Sequence, residues 1–433
     1  MLRNKLKTVL IAAAFIPATL MAQESTAPVT TEPDTLTSTV AKLQSDLDLL
    51  NRLKFTGYLQ AQFQYADSAG QTSFAGGNFP SKVDKRFAVR RGRLKATYNG
   101  NMSQYVLQID VTPGGVIIKD AYAKLTEPWL NSFSLTAGVF NRPFGYEITM
   151  SSSDRETPER GRMSQIIFNN ERDLGAMITF QPPKTSMYNW LKIDLAMMSG
   201  TGPLAADFDK QKDFIGRISY NKSIIHETAK LGVGVSYYQG GFRCDTTVSF
   251  KMSDGGFVSS TEPEAIQQIL EKQYMGADAQ FSIATKAGYT TLRAEYMQGT
   301  QPSPNAGGNA QATLLYPGDA ATAKKAYYKR EFNGAYLYLI QTIGDSKHSI
   351  VVKYDWLDPN TKVKGNEIDP TKNLTAGDIK FSTLGVGYIY RWNENVKFTF
   401  YYDMVTNETS DKLSGFGKDL TDNVFTARMQ YKF

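Results

Sequence analysis

The chain has 433 residues, and its 48 Lys and Arg side chains exceed its 42 Asp and Glu side chains, giving a formal net charge of +6. It contains one cysteine, Cys244, and two histidines, His226 and His348, which excludes a disulfide framework and a structural zinc site. The mean hydropathy is -0.35, and no apolar run reaches the roughly twenty residues that a membrane-spanning helix needs. With 24 Tyr, 24 Phe and 35 Gly, the composition is typical of many short strands.

Residues 1–22 have the pattern of a secretory signal peptide. Three basic residues precede the apolar stretch 9–15, and Ala22 offers a small residue for cleavage. Cleavage there removes three basic and no acidic side chains, so the mature chain is only weakly basic.

Residues 23–34 are rich in Thr, Pro and Glu and predict a flexible linker. Residues 35–54 predict a short periplasmic heptad helix. Its apolar residues recur at spacings of four and three: Leu36, Val40, Leu43, Leu47 and Leu50. Two interpretations stay open, an amphipathic helix lying on the main domain and a short coiled coil between subunits.

From Phe55 onward the dominant hydrophobic period is two, which predicts half-buried strands. The last strand is the clearest, because Phe425, Ala427 and Met429 alternate with Thr426 and Arg428. About sixteen such segments follow one another, an even number as in single-chain outer-membrane barrels. They start near Phe55, Arg86, Gln104, Val116, Asn131, Arg172, Tyr188, Lys212, Lys230, Tyr274, Tyr289, Ala326, Lys347, Asp378, Val396 and Asn423.

The connections between these segments alternate in length. The short ones are 99–103, 127–130, 181–187, 221–229, 286–288, 343–346 and 391–395. The intervening ones are mostly long, namely 66–85, 141–171, 241–273, 301–325, 359–377 and 406–422, and only 112–115 breaks the pattern. A barrel inserted from the periplasm has short turns on that side and long loops outside.

The predicted fold is therefore all-β, a transmembrane antiparallel β-barrel of about sixteen strands over residues 55–433, with a short N-terminal helix. In a bilayer the backbone must be fully paired, so the sheet has to close, with an apolar outer face and a polar lumen. Trp129, Trp190 and Trp392 fall at or beside the short turns, where an interfacial aromatic girdle belongs. The soluble alternative is a secreted β-sandwich or propeller that binds carbohydrate.

A barrel of this size leaves an aqueous channel, and the third outer loop, 141–171, is the candidate constriction. It carries Arg142, Arg155, Arg160 and Arg162 against Glu147, Asp154, Glu156, Glu159 and Glu171, and Arg172 follows it. Because these charges nearly balance, a folded loop with internal ion pairs is predicted, with a dedicated anion-binding loop as the alternative.

The second strand is strongly basic. Between positions 82 and 95 it carries Lys82, Lys85, Arg86, Arg90, Arg91, Arg93 and Lys95, with only Asp84 opposing. The positions that face outward are odd-numbered before Arg90 and even-numbered after Arg91. This shift predicts a β-bulge that turns both arginines toward the lumen. The resulting row, Arg86 to Lys95, could guide anions, since guanidinium groups match phosphate geometry. Equally, these residues could pair with acids of the third loop, and the two interpretations are compatible.

Several motifs resemble those of the phosphate-selective porins O and P of Gram-negative outer membranes. They are Arg-Arg-Gly-Arg-Leu at 90–94, Gly-Val-Phe-Asn-Arg-Pro-Phe-Gly at 138–145, Glu-Arg at 159–160, Arg-Asp-Leu-Gly at 172–175, Ser-Gly-Thr-Gly at 199–202 and Gly-Arg at 216–217. The resemblance runs from about residue 55 to residue 433. It implies a sixteen-stranded, homotrimeric porin whose third loop folds inward and whose basic residues favour anions, with phosphate or polyphosphate as cargo.

The sequence thus predicts a cell outer-membrane porin, exported through the periplasm and embedded in lipid, for passive diffusion of small hydrophilic solutes, with small anions such as phosphate as candidates. No cofactor, metal site or nucleic-acid partner is predicted. An enzyme is not predicted either, because neither histidine belongs to a Ser/His/Asp arrangement. The remaining alternative is a structural barrel tethered through its N-terminal helix.

Overall fold

The computed structural model describes residues 35–169, 171–203, 207, 210–225, 228–243, 248–261, 269–304 and 327–433. The predicted signal peptide and linker, together with His226 and Cys244, lie outside these residues. The chain divides into two compact units, one ending at Asn51 and the other beginning at Arg52.

The N-terminal unit contains helix α1, Thr35–Arg52. The helix ends two residues before the predicted boundary because Leu53 and Lys54 already belong to the first strand. The described side chains of its apolar stripe, Val40, Leu43, Leu47 and Leu50, are exposed, from 51% at Val40 to 70% at Leu50. Among the described residues, no helix combines the length and hydropathy needed to cross a membrane.

The described part of the second unit contains eighteen strands and one further α-helix, α2, Arg162–Ile167. The strands are β1 Leu53–Ala66, β2 Lys85–Asn99, β3 Ser103–Thr112, β4 Gly115–Thr126, β5 Phe133–Asn141, β6 Arg172–Phe180, β7 Leu191–Met198, β8 Asp213–Ile224, β9 Ala229–Arg243, β10 Val248–Ser253, β11 Gly256–Thr261, β12 Ile269–Thr285, β13 Gly288–Pro304, β14 Tyr327–Thr342, β15 His348–Asp358, β16 Phe381–Arg391, β17 Val396–Asn407 and β18 Val424–Lys432. Three short 3₁₀ helices, Gly365–Glu367, Pro370–Lys372 and Ala376–Asp378, lie between β15 and β16.

Sixteen of the described strands form one closed antiparallel ring. Each strand from β1 to β8 pairs with the following one, and β9 pairs directly with β12. From β12 to β18 consecutive strands pair again. The ring closes because β1 pairs with β18 as well as with β2, with Tyr58 opposite Lys432. The predicted barrel is therefore confirmed, and its closure leaves no strand edge unpaired in the ring.

The two faces of the ring differ in polarity as the period of two predicts. On β1, Leu59 is 42% exposed on the outside, whereas Gln60, Gln62 and Gln64 are buried inside. On β3, Tyr105 and Leu107 are each 50% exposed. The outer wall is thus apolar and the lumen is polar.

The remaining strands, β10 and β11, show that one prediction was wrong. The segment 241–273 was expected to be a loop, but β9 and β12 extend into it and β10 and β11 form a hairpin between them. The two residues of the hairpin turn, Asp254 and Gly255, both have positive φ angles, which is the geometry that an Asp-Gly hairpin favours. β10 also runs parallel to the end of β14, at Tyr327–Lys329.

The long connection between β15 and β16 takes part in an apolar core outside the barrel ring. The segment between β15 and β16 buries Val363, Ile368 and Leu374 against Phe257 of β11 and Tyr328 of β14. The described part of this connection is therefore held by packing against β11 and β14.

The alternation of faces generates a paired test on β3. Leu107→Arg places a charge on the lipid-facing wall and is expected to destabilise the folded barrel by about 2–4 kcal/mol. Gln108→Arg faces the wet lumen opposite Asp120, so its cost is expected to stay below about 1 kcal/mol. Urea titration in lipid vesicles, read from the gel shift between unheated and heated samples, measures both. Equal losses would contradict the assigned faces.

Candidate functional site

The segment between β5 and β6, here called loop 3 (residues 141–171), folds against the inner face of the wall. Phe144 and Met163 are fully buried, and they share one apolar cluster with wall residues such as Tyr274 and Met297. The ring of Phe144 lies 5.2 Å from that of Phe168 and 6.4 Å from that of Tyr274. Helix α2 contacts β14 and β15. Loop 3 therefore packs against the β9 and β12–β17 side of the wall by burying apolar surface.

A buried carboxylate on β13 fixes the entry of this loop. The backbone N–H groups of Tyr146 and Glu147 donate to Glu295 at 2.9 and 3.0 Å, and the Tyr336 hydroxyl donates to it at 2.8 Å. Gly145 has a φ of +59°, and a Cβ at this position would collide with the Glu295 carboxylate. The turn into the lumen thus requires glycine.

A second carboxylate fixes the exit. Arg142 binds Asp173 of β6 at 2.7 Å, and Asp173 also accepts from the Ser199 hydroxyl at 2.8 Å and from the Gly200 N–H at 2.9 Å. Arg142 is therefore a clamp at the neck of loop 3, and the Ser-Gly-Thr-Gly motif is the loop that wraps Asp173.

The third fixed point is Glu159, where loop 3 meets the basic strand. Its carboxylate lies 2.9 Å from Arg90, 2.7 Å from Arg91 and 2.9 Å from Arg428 of β18. Burial alone would raise the pKa of Glu159, but the charges of Arg90, Arg91 and Arg428 outweigh it and hold the pKa well below its usual range. The carboxylate therefore stays ionised in moderately acidic media.

The predicted β-bulge explains how two consecutive arginines reach one carboxylate. Gln60 lies opposite Arg91, whereas Ala61 lies opposite Val89, so Arg90 is the extra residue. The bulge is confirmed, and both guanidinium groups point inward.

Three further predicted arginines, Arg86 and Arg93 of the row and Arg172 after loop 3, are bound to the wall or to another loop. Arg93 pairs with Asp110 of β3 at 3.2 Å, and Arg172 pairs with Asp120 at 2.8 Å and with Glu171 at 2.6 Å. Arg86 donates at 2.8 Å to Gln64 and at 2.6 Å to the carbonyl of Asn78 in the first long loop.

The expectation of an internally paired loop 3 is wrong in its main part. Glu159 pairs with the wall, and Glu156 pairs with Arg293 of β13 at 2.5 Å. Among the described residues of loop 3, the ion pair between Arg160 and Glu171, at 3.5 Å, is internal. The charge balance of the loop did not show which of its acids pair with wall arginines, because those arginines are distant in the chain.

Two arginines of loop 3 are buried without a carboxylate partner among the described residues. Arg155 is 3% exposed, and its Nε and Nη1 atoms have no hydrogen-bond partner. Burial, with the charges of Arg160 and Arg91, lowers the pKa of Arg155 to about 9. The Arg162 guanidinium lies between two rings, 4.5 Å from Phe74 and 4.1 Å from Phe381.

Residues that the sequence analysis did not single out complete the site. Lys397 of β17 donates to the carbonyls of Ser153 and Arg155 at 3.1 and 2.9 Å, which holds loop 3 from a second strand. The inward parity of Arg428 and Lys397 was readable from the period of two. Glu295 carried no comparable signal, because its role depends on contacts with residues 148 and 149 positions away.

Among the described residues, loop 3 and the wall line two adjoining cavities. One, of about 500 Å3, is lined by β2–β8 and β12 residues that include Lys95, Tyr122 and Lys124. The other, of about 290 Å3, also touches Lys95 and includes Arg93. Where loop 3 meets the first long loop, the space is only about 20 Å3, room for about one water. The larger described cavities therefore lie beside β2–β8.

The three-arginine contact generates a direct test. Glu159→Gln leaves three guanidinium groups without their counter-charge, so the unfolding free energy is expected to fall by about 3–5 kcal/mol. As a control, Glu331→Gln removes a surface pair with Lys362, whose side chains are 57% and 50% exposed, and is expected to cost less than about 1 kcal/mol. Urea titration of the two variants compares them. A loss in Glu159→Gln no larger than in the control would show that this contact does not anchor loop 3.

No protein-family model matches the chain, and a search among curated proteins finds no match. Solved structures of channels do match it. The anion-selective porin from Comamonas acidovorans is 10% identical, with a TM-score of 0.52 over 88% of this chain and 99% of that chain. Pseudomonas putida OprB is 10% identical, with a TM-score of 0.56 over 90% and 97%. The outer membrane channel DcaP of Acinetobacter baumannii is 11% identical, with a TM-score of 0.52 over 88% and 97%. These similarities show that the chain has the sixteen-stranded barrel fold of outer-membrane porins.

Proposed function

We propose that the protein is an outer-membrane porin, a water-filled channel for passive diffusion of small hydrophilic solutes. The observation that carries the proposal is a closed sixteen-strand ring with apolar residues outside and polar residues inside. A loop folded into such a lumen restricts the passage without closing the cavities beside it. The channels named among its structural neighbours support the same function, and nothing in this role requires a cofactor or catalysis.

We further propose a preference for anions. Three arginines surround the single carboxylate of Glu159. Lys95 lines both cavities, and Lys124 lines the larger one; neither has an ion-pair partner among the described residues. Glu147 and Glu295, which have no ion-pair partner in the part of the chain that the structure describes, are buried against the wall with 1% and 2% of their surface exposed. The accessible field in the cavities is therefore positive, and it should raise the local concentration of anions.

Phosphate enters this proposal through the resemblance to the phosphate-selective porins. Arginine suits phosphate through its planar fork of donors. Arg91 and Arg93, however, are already bound to carboxylates, so the row on β2 acts mainly as an anchor. Lys95, the last residue of the row, lines both cavities and stays available to solutes.

We propose a homotrimer embedded in outer-membrane lipid and exported with the help of the predicted signal peptide. The exposed apolar stripe of α1 favours a role for this helix in assembly, and it is also what a structural tether would present to a partner. Light scattering of the detergent complex, with and without residues 35–52, separates a helix that holds the subunits together from one that serves another contact.

The test of anion preference is a reversal potential in planar bilayers under a KCl gradient. The unmodified channel is expected to favour chloride over potassium, and Lys95→Gln is expected to reduce that preference about twofold, because one accessible positive charge is lost. Lys418→Gln, an exposed lysine in the loop between β17 and β18, removes the same charge far from the cavities and serves as the control. A cation preference, or an equal effect of the two variants, would overturn this assignment.

A further inference from the structure

We infer that the larger cavity beside loop 3 is a binding subsite for small organic anions that carry an aromatic ring, such as an aromatic carboxylate. The inference rests on the proposed channel function and narrows its solute class. It stands on the size of the cavity, on its unpaired lysines and on the rings that share its lining.

The cavity has the size of a ligand site. Its volume of about 500 Å3 falls within the roughly 300–1,000 Å3 typical of pockets for small molecules. Wall strands β2–β8 and β12 contribute its lining together with the first residues of loop 3, so the site exists only because that loop is folded inward. The clamp at Asp173 and the Glu295 contact fix those residues in place.

The cationic side chains of this cavity divide into two groups. Arg217 and Lys192 are neutralised, since Arg217 pairs with Asp278 at 2.5 Å and Lys192 pairs with Asp194 at 2.7 Å. Lys95 and Lys124 have no ion pair among the described residues. Both are half-buried on the inward face of the wall, with Gln108 and Gln104 of β3 as their respective cross-strand neighbours. An incoming carboxylate or phosphate would provide the charge that these two lysines lack.

The same cavity has an aromatic and apolar part. Tyr122 lies two residues from Lys124 on β4, and its ring packs edge-to-face on Phe140 with 6.2 Å between centroids. Tyr146 and Pro143 of loop 3 also line the cavity, as does Met177 of β6. Tyr122, Tyr146 and Met177 keep part of their surface exposed. Inorganic phosphate cannot cover that surface, whereas a ring can, with favourable stacking on the tyrosines.

The chemistry of the lining therefore favours a ring joined to an anionic group over an inorganic anion. Amide side chains, such as Gln181, Asn221 and Gln280, add neutral hydrogen-bond partners around the lysines. They suit a solute with polar substituents and add no charge that would retain it too strongly for passage.

Three probes of similar chemistry test the inference: benzoate, which has both ring and charge, acetate, which lacks the ring, and benzamide, which lacks the charge. Each is added to single channels in planar bilayers, and the concentration that halves the chloride current is measured. Benzoate is expected to act at a concentration about tenfold lower than acetate or benzamide.

Two variants separate the contributions. Tyr146→Ser is expected to raise the benzoate concentration about fivefold and to leave that for acetate unchanged, because a ring that benzoate would stack on is lost while Lys95 and Lys124 remain. Lys124→Gln is expected to weaken benzoate and acetate alike, and Lys418→Gln to change neither. Anion-preferring channels on which benzoate and acetate act equally would overturn this inference and leave the proposed function standing. Absence of channels, or a cation preference, would overturn both.

Discussion

The constraint on which this structure depends is that backbone N–H and C=O groups have no water to bind inside a lipid bilayer. A sheet meets that constraint only by closing on itself, and here the closure is the pairing of β1 with β18 from Tyr58 to Ala66. Once the ring is closed, strand geometry assigns alternate side chains to lipid and to the lumen. The apolar wall, the polar lumen and the possibility of a channel all follow from that one pairing.

Closure alone would leave a wide hole, and loop 3 converts it into a shaped passage. Three buried acids hold the loop, with Glu295 at its entry, Asp173 at its exit and Glu159 where it meets the basic strand. Each acid accepts hydrogen bonds from several donors, which offsets part of the cost of burying it. The basic residues in these contacts hold the loop in place. Of the cations outside these contacts, Lys95 and Lys124 line the larger cavity, and the proposed selectivity would depend on them.

The strands were predictable because their signal is local. The period of two places lipid-facing and lumen-facing residues within a few positions of each other, and even the bulge at Arg90 was readable as a parity change. The β10–β11 hairpin was not predicted, because its strands have only six residues each and lie within one long connection. The turn at Asp254 and Gly255 was the local signal for it. The partners of loop 3 were not predictable in the same way. Glu159 and Arg428 lie 269 positions apart, and no local pattern pairs them.

The accessibility of alternate residues along β3 tests most directly whether the barrel is closed around a wet lumen. Nitroxide labels are placed in turn at positions 104, 105, 107 and 108, after Cys244→Ser, and the protein is folded into lipid vesicles. Labels replacing Tyr105 and Leu107 are expected to collide with oxygen dissolved in the lipid, and labels replacing Gln104 and Gln108 with a water-soluble nickel complex. Nickel access at all four positions, or access without alternation, would contradict a closed barrel with a wet lumen.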